Sequence, residues 1–149
     1  MFSNLNPSDR AGIAAVIDPA QAGPGTITTP WVDARTFFSL LAIISVGVLG
    51  AGATVDAKFE QATVNTGADA KAVPGSSITQ IVKATGDSKQ ALINIRPDDL
   101  DKNGGFKFVR LSVTVGGAAS FLSALLLGFD PRYGAAGANQ TSTVAQTVR

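Results

Sequence analysis

Two stretches, ATVDAKFEQA at residues 53–62 and FKFVRLSVTV at residues 106–115, decide the class of fold. In the first, Val55, Ala57 and Phe59 fall on one side of an extended chain and Thr54, Asp56, Lys58 and Glu60 on the other. Successive side chains of a strand point to opposite faces, so this alternation predicts a half-buried antiparallel strand. In the second, Val109, Leu111, Val113 and Val115 share the face expected to meet a core, opposite Phe106, Phe108, Arg110, Ser112 and Thr114.

Working outward, further strands are expected at 26–32, 37–49, 71–74, 77–85, 89–95 and 121–129, with 37–49 long enough to need a bulge. In 89–95 the residues Ala91, Ile93 and Ile95 alternate with Gln90, Leu92 and Asn94. Turn signals separate the runs at the spacing of a sandwich of about seven to nine strands. The expected fold is therefore all-β, an antiparallel β-sandwich of jelly-roll-like type. Residues 1–25, with three prolines and the run Gln21-Ala22-Gly23-Pro24-Gly25, are expected to form an extended N-terminal arm with a helical turn at 8–16. The sandwich domain spans 26–133, and the Gly/Ala/Ser/Thr/Gln-rich residues 134–149 form a C-terminal tail. Both ends are core-poor and are expected to be held by neighbouring chains, docking within the chain being the alternative.

With 149 residues the chain is one domain and buries roughly 68–70% of its unfolded surface without a staple. It has no cysteine and no histidine, which excludes thiol nucleophiles, Cys/His zinc sites, Ser-His-Asp triads and imidazole acid–base chemistry. Twelve basic residues stand against eleven acidic ones, with no Lys/Arg cluster, so neither nucleic acid nor a membrane surface is expected as a partner. The first residues lack a basic, then apolar, secretory pattern and are expected to be a mature N-terminus.

Residues 36–55 and 111–129 are uncharged and each has the length of a membrane span. Gly50-Ala51-Gly52 and Gly116-Gly117-Ala118-Ala119 break each into strand, turn and strand. A small two-span membrane protein is thus the alternative from another class.

The segments ATVDAKFEQA at 53–62, ITQ at 78–80, KQALINIR at 89–96, GFKFVRL at 105–111 and GFDPRYG at 128–134 resemble small virion structural proteins of tailed bacteriophages. The resemblance covers about residues 26–135. It implies a β-sandwich and, as one recurrent role, a capsid cement or decoration subunit on the outside of the virion, trimeric and bound across subunits of the major capsid protein. A tail, neck or host-contact protein is the alternative role.

Candidate chemistry is sparse. Asp99-Leu100-Asp101-Lys102-Asn103-Gly104 matches the opening of a calcium loop, but Arg110 stands where the closing carboxylate belongs, so a solvated helix cap begun at Pro97 is expected and no metal. Asp56 and Glu60 share a strand face with Lys58 between them, which fits a charged solvent face better than a glycosidase pair. Asn139-Gln140-Thr141 matches a glycosylation acceptor by chance. No catalytic residue and no cofactor are expected. The residues singled out as partner interface are Phe106, Phe108 and Arg110, placed on one outer face, with the aromatic anchors Trp31 and Tyr133.

Overall fold

The computed structural model describes residues 4–148; the first three residues of the expected arm and Arg149 of the expected tail lie outside them. Among the described residues ten strands form two antiparallel sheets. The first sheet orders β1 (Ala11–Ala22), β10 (Ser120–Pro131), β4 (Phe37–Val46) and β8 (Gln90–Ile95) side by side. The second orders β2 (Gly25–Thr28), β9 (Phe108–Gly116), β5 (Thr54–Ala62) and β6 (Lys71–Ala72), with β3 (Val32–Asp33) also on β9 and β7 (Ile81–Val82) also on β5. The chain repeatedly crosses between sheets, and its first strand lies beside its last. That is the double-sheet arrangement of a jelly roll.

The core lies between the two sheets, and the alternating stretches face it as expected. Val109, Leu111 and Val113 are fully buried, as are Phe59 and Val55 of the neighbouring β5, which stand opposite Leu111 and Val115. From the four-stranded sheet come Leu40, Ala42, Ile44, Leu122, Ala124, Leu126, Ile93 and Ile95. Each large aliphatic or aromatic side chain so buried contributes about 1.5–3 kcal/mol relative to leaving it in water. Phe37 lies over Gly128, where a Cβ would come within 2.5 Å of its ring, so Gly128 is the space the ring needs.

The glycine-rich breaks in the two uncharged runs are corners. Residues 36–55 contain β4, a loop and the start of β5; residues 111–129 contain most of β9, a turn and most of β10. The two loops pack backbone on backbone: a Cβ on Gly50 would lie 2.5 Å from the Ala119 carbonyl oxygen, and one on Gly117 2.4 Å from that of Gly52. Gly117 also has φ +76°, a conformation other residues rarely adopt. Among the described residues, no helix is long and apolar enough to cross a membrane.

The expected arm differs from what forms. Residues 7–10 make one helical turn, α1 (Pro7–Arg10), and residues 11–22 are then the edge strand β1, paired along β10 from Ala11 with Phe129 to Ala22 with Ser120. Ala15, Ile17 and Ala22 are buried in the core. The proline that suggested an arm, Pro19, sits where the register shifts between Ile17 and Ala20, a bulge at a sheet edge that needs no amide donor.

The tail also docks within the chain. After β10 a 3-10 turn (Ala136–Asn139) places Ala136, completely buried, against Gly12, where a Cβ would stand 2.6 Å from the Ala136 carbonyl oxygen. The Thr141 N–H donates to the Ile13 carbonyl at 2.9 Å, which covers part of the free edge of β1.

Candidate functional site

β5 and β9 carry the outer face of the second sheet, and their alternation brings charged and polar side chains into one layer. Arg110 pairs in register with Glu60 and donates from Nε to its Oε2 at 2.7 Å. The same guanidinium lies 4.7 Å from the centre of the Trp31 ring, the distance of a cation stacked on an indole. Trp31 in turn lies against Gly67, where a Cβ would meet the indole at 2.5 Å.

Arg110 and Trp31 are thus brought together. Phe108 opens β9, half-buried and paired with Asp33 and Ala62, with the Lys107 ammonium 5.8 Å from its ring centre. Phe106 precedes the strand, its N–H bonded to the Asp101 carbonyl at 3.1 Å, and Lys71 lies 4.1 Å over its ring. Tyr133, 82% exposed, stands apart beyond β10. It lines a shallow hollow with Asp33, Arg35, Thr36 and Arg132, and Arg132 stacks on exposed Phe38 at 4.1 Å. Asp33 links the two groups, since it pairs with Phe108 and faces the Tyr133 hollow.

The carboxylates are engaged with their own chain. Asp56 accepts from Gln80 Nε2 at 2.8 Å, and Glu60 is taken by Arg110 with Lys58 at 3.8 Å. In the calcium-like loop Asp99 accepts from the Arg96 N–H at 2.7 Å and closes a short 3-10 turn (Pro97–Asp99). Asp101 binds Lys71 Nζ at 2.6 Å and the Gly104 N–H at 2.9 Å, and Asp98 pairs with Lys102. The buried Gln61 anchors this loop by accepting from the Asp101 N–H at 2.8 Å. Among the described residues no three acidic side chains gather as a metal site would require.

These pairings set the acid response. Hydrogen bonds from Arg35 hold Asp33 below the ordinary carboxylate range, and the ammonium groups of Lys83, Lys102 and Lys71 do the same for Asp87, Asp98 and Asp101. A carboxyl whose folded-state pKa is lowered stabilises the fold above its unfolded value and loses that contribution as pH falls through the folded value. The melting temperature should therefore be flat between about pH 5 and 7 and fall below about pH 4. Thermal scans across pH check this, and Asp87→Asn, which removes the titrating charge paired with Lys83 at 2.5 Å, should flatten the acid limb. A melting temperature that rises on acidification would contradict the pairing.

One surface feature was not singled out by sequence reasoning. One row on the outer face of the four-stranded sheet is apolar from edge to edge: Val16, Leu125, Ile43 and Leu92 stand opposite one another in register across all four strands. Ile13, Leu127 and Leu41 form the next row. Phe121 is 51% exposed on this face and Leu92 60%. The signal for it was the uncharged run in 37–46 and again in 121–129, where apolar residues interrupted only by serines and one glycine take both faces, whereas a sheet with one wet face would alternate.

No protein-family model matches the sequence, and no curated protein matches it. Among solved structures, the chain is similar to one in an empty virus-like particle of cowpea mosaic virus, at 13% identity and TM-score 0.45, covering 92% of this chain and 88% of that one. It is similar to one from broad bean stain virus at 12% identity and TM-score 0.44, covering 99% and 98%. It is also similar to one from the disulfide-linked pili of Bacillus endospore appendages, at 13% identity and TM-score 0.40, covering 86% and 96%.

Proposed function

We propose that this protein is a non-enzymatic structural subunit of a bacteriophage particle, a cement or decoration protein that reinforces the shell by binding across subunits of the major capsid protein. The observation that carries the reading is the contrast between its two outer faces. One carries charged and hydroxylated side chains beside the stacked Trp31 and Arg110; the other exposes Phe121, Leu125 and Leu92 among serines and amides, apolar surface of the kind that a contact covers. The resemblance of residues 53–62, 105–111 and 128–134 to virion proteins supplies the particle.

The capsid contact is assigned to the aromatic and arginine group Trp31, Phe106, Phe108 and Arg110, with Tyr133 beyond it. Rings held under cations are pre-ordered, so little side-chain freedom is lost on docking. A subunit that binds only the assembled shell stabilises it by RT ln(1 + [L]/Kd) at each site, about 4 kcal/mol at a thousandfold excess over Kd. Summed over a shell, that resists the pressure of a packed genome.

The test is the ratio of this chain to the major capsid protein in purified particles. Hundreds of copies support reinforcement of the shell, a handful assign the chain to a neck or tail, and none overturns the reading. Phe108→Ser should lower occupancy of the particle at least tenfold while shifting the melting temperature of the isolated protein by no more than a few degrees. Equal loss of both would mean that Phe108 serves the fold.

A further inference from the structure

We propose that the apolar outer face of the four-stranded sheet is covered by the same face of a second copy of this chain, in a closed two-fold dimer. The proposal rests on the reading of that face as a contact surface and supplies its occupant. It does not depend on the particle to which the dimer binds.

Charge decides the partner. Across β10, β4 and β8, the outward positions from Phe121 to Phe129, from Ser39 to Ser45 and from Gln90 to Asn94 hold apolar residues, serines and amides, with no ionised group; Asp18, exposed in the bulge of the edge strand β1, stands at the rim. A partner presenting charges would have to desolvate them against this surface with nothing to pair them. The remaining broad face of the molecule is of that unsuitable kind, since Asp56, Lys58, Glu60 and Arg110 project from it. A head-to-tail contact between copies, with the apolar face of one on the charged face of the next, is therefore disfavoured. Face on like face remains, and a contact of a surface with itself is two-fold and closed. This replaces the three-fold arrangement that the resemblance to decoration proteins implies.

Size agrees. Four strands about 4.8 Å apart, read over the nine residues from Phe121 to Phe129 at about 3.4 Å each, give a patch of roughly 500 Å². Two such patches bury about 1,000 Å², which reaches the threshold for a specific interface. The packing needed is the one the molecule already uses internally, where two apolar sheet faces stack about 10 Å apart.

The experiment is light scattering behind size-exclusion chromatography on the purified full chain at about 100 μM and on dilution, with Leu125→Lys and Leu92→Lys alongside. Both side chains lie on the outer face, 38% and 60% exposed, so neither substitution puts a charge in the core. The wild type should run as a dimer. Each variant should raise the dimer dissociation constant about a hundredfold, because two-fold symmetry brings each new charge in twice. Far-ultraviolet circular dichroism should remain that of the wild type. Thr114→Lys on the opposite face should leave the dimer intact.

A wild-type monomer or trimer overturns the proposal, as does a dimer indifferent to both face substitutions or broken by Thr114→Lys. Failure here leaves copy number in the particle untouched, so the two readings fail separately. A monomer present at hundreds of copies would mean that another viral protein covers the face.

Discussion

Deleting residues 1–24 should abolish cooperative folding. The deletion removes all of β1 and with it the antiparallel ladder to β10, from Ala11 opposite Phe129 to Ala22 opposite Ser120. It also withdraws Ala15 and Ile17 from the core and uncovers Ala124 and Leu126, both buried beneath the four-stranded sheet. Burial of a few aliphatic side chains at about 1.5–3 kcal/mol each is comparable with the whole stability of a domain, about 5–15 kcal/mol. The exposed edge of β10 would pair with any strand it met, so the truncated chain should collect in the insoluble fraction. Removal of residues 1–6 alone should leave the thermal transition in place. A truncation at residue 24 that still melts cooperatively would mean that the segment is the detachable arm its prolines suggest.

Val113→Asp should prevent folding as completely. Val113 is fully buried in β9, between Ile27 of β2 and Ala57 of β5. A carboxylate there has no basic partner among those neighbours and must either remain charged without water or be protonated against its ordinary pKa. Either course costs several kcal/mol, most of what the domain has. Val113→Ala leaves only a small cavity and should remain folded with a lower melting temperature. Soluble yield and circular dichroism separate the three proteins, and a folded Val113→Asp would contradict the inward face of β9.

How much of this was legible in the sequence depends on whether a strand has one wet face. β5 and β9 do, so Val55, Phe59, Val109 and Leu111 announced their direction by alternation, and the structure buries them all. β4 and β10 do not. Leu40, Ala42 and Ile44 point inward while Leu41 and Ile43 point outward, and two apolar sets interleaved cancel the period of two. What remained was an uncharged run of span-like length, and the outer face hidden in it went unread.

β1 was lost for another reason. Its register shifts twice, between Ile13 and Ala15 and between Ile17 and Ala20, and each shift resets which face a residue takes. With Pro19 in the second bulge the strand resembles a linker. The interface residues read from the sequence were placed unevenly. Phe108 and Arg110 lie in β9 as expected and Trp31 joins Arg110 through a stack, contacts that bring residues far apart in sequence together and leave no local pattern.

The pairing of the first strand with the last sets the timing of folding. β1 leaves the ribosome early but cannot satisfy its backbone until β10 follows, almost the entire chain later, and the turn at Ala136 that seats on Gly12 comes later still. Closing so long a loop is slow, and until it closes the apolar strands between lack their lid. A ribosome that stops short of residue 120 therefore releases a chain that cannot complete its sheet. Only a chain that extends through β10 and the turn at Ala136 can close the sheet, a form of quality control written into the order of the strands.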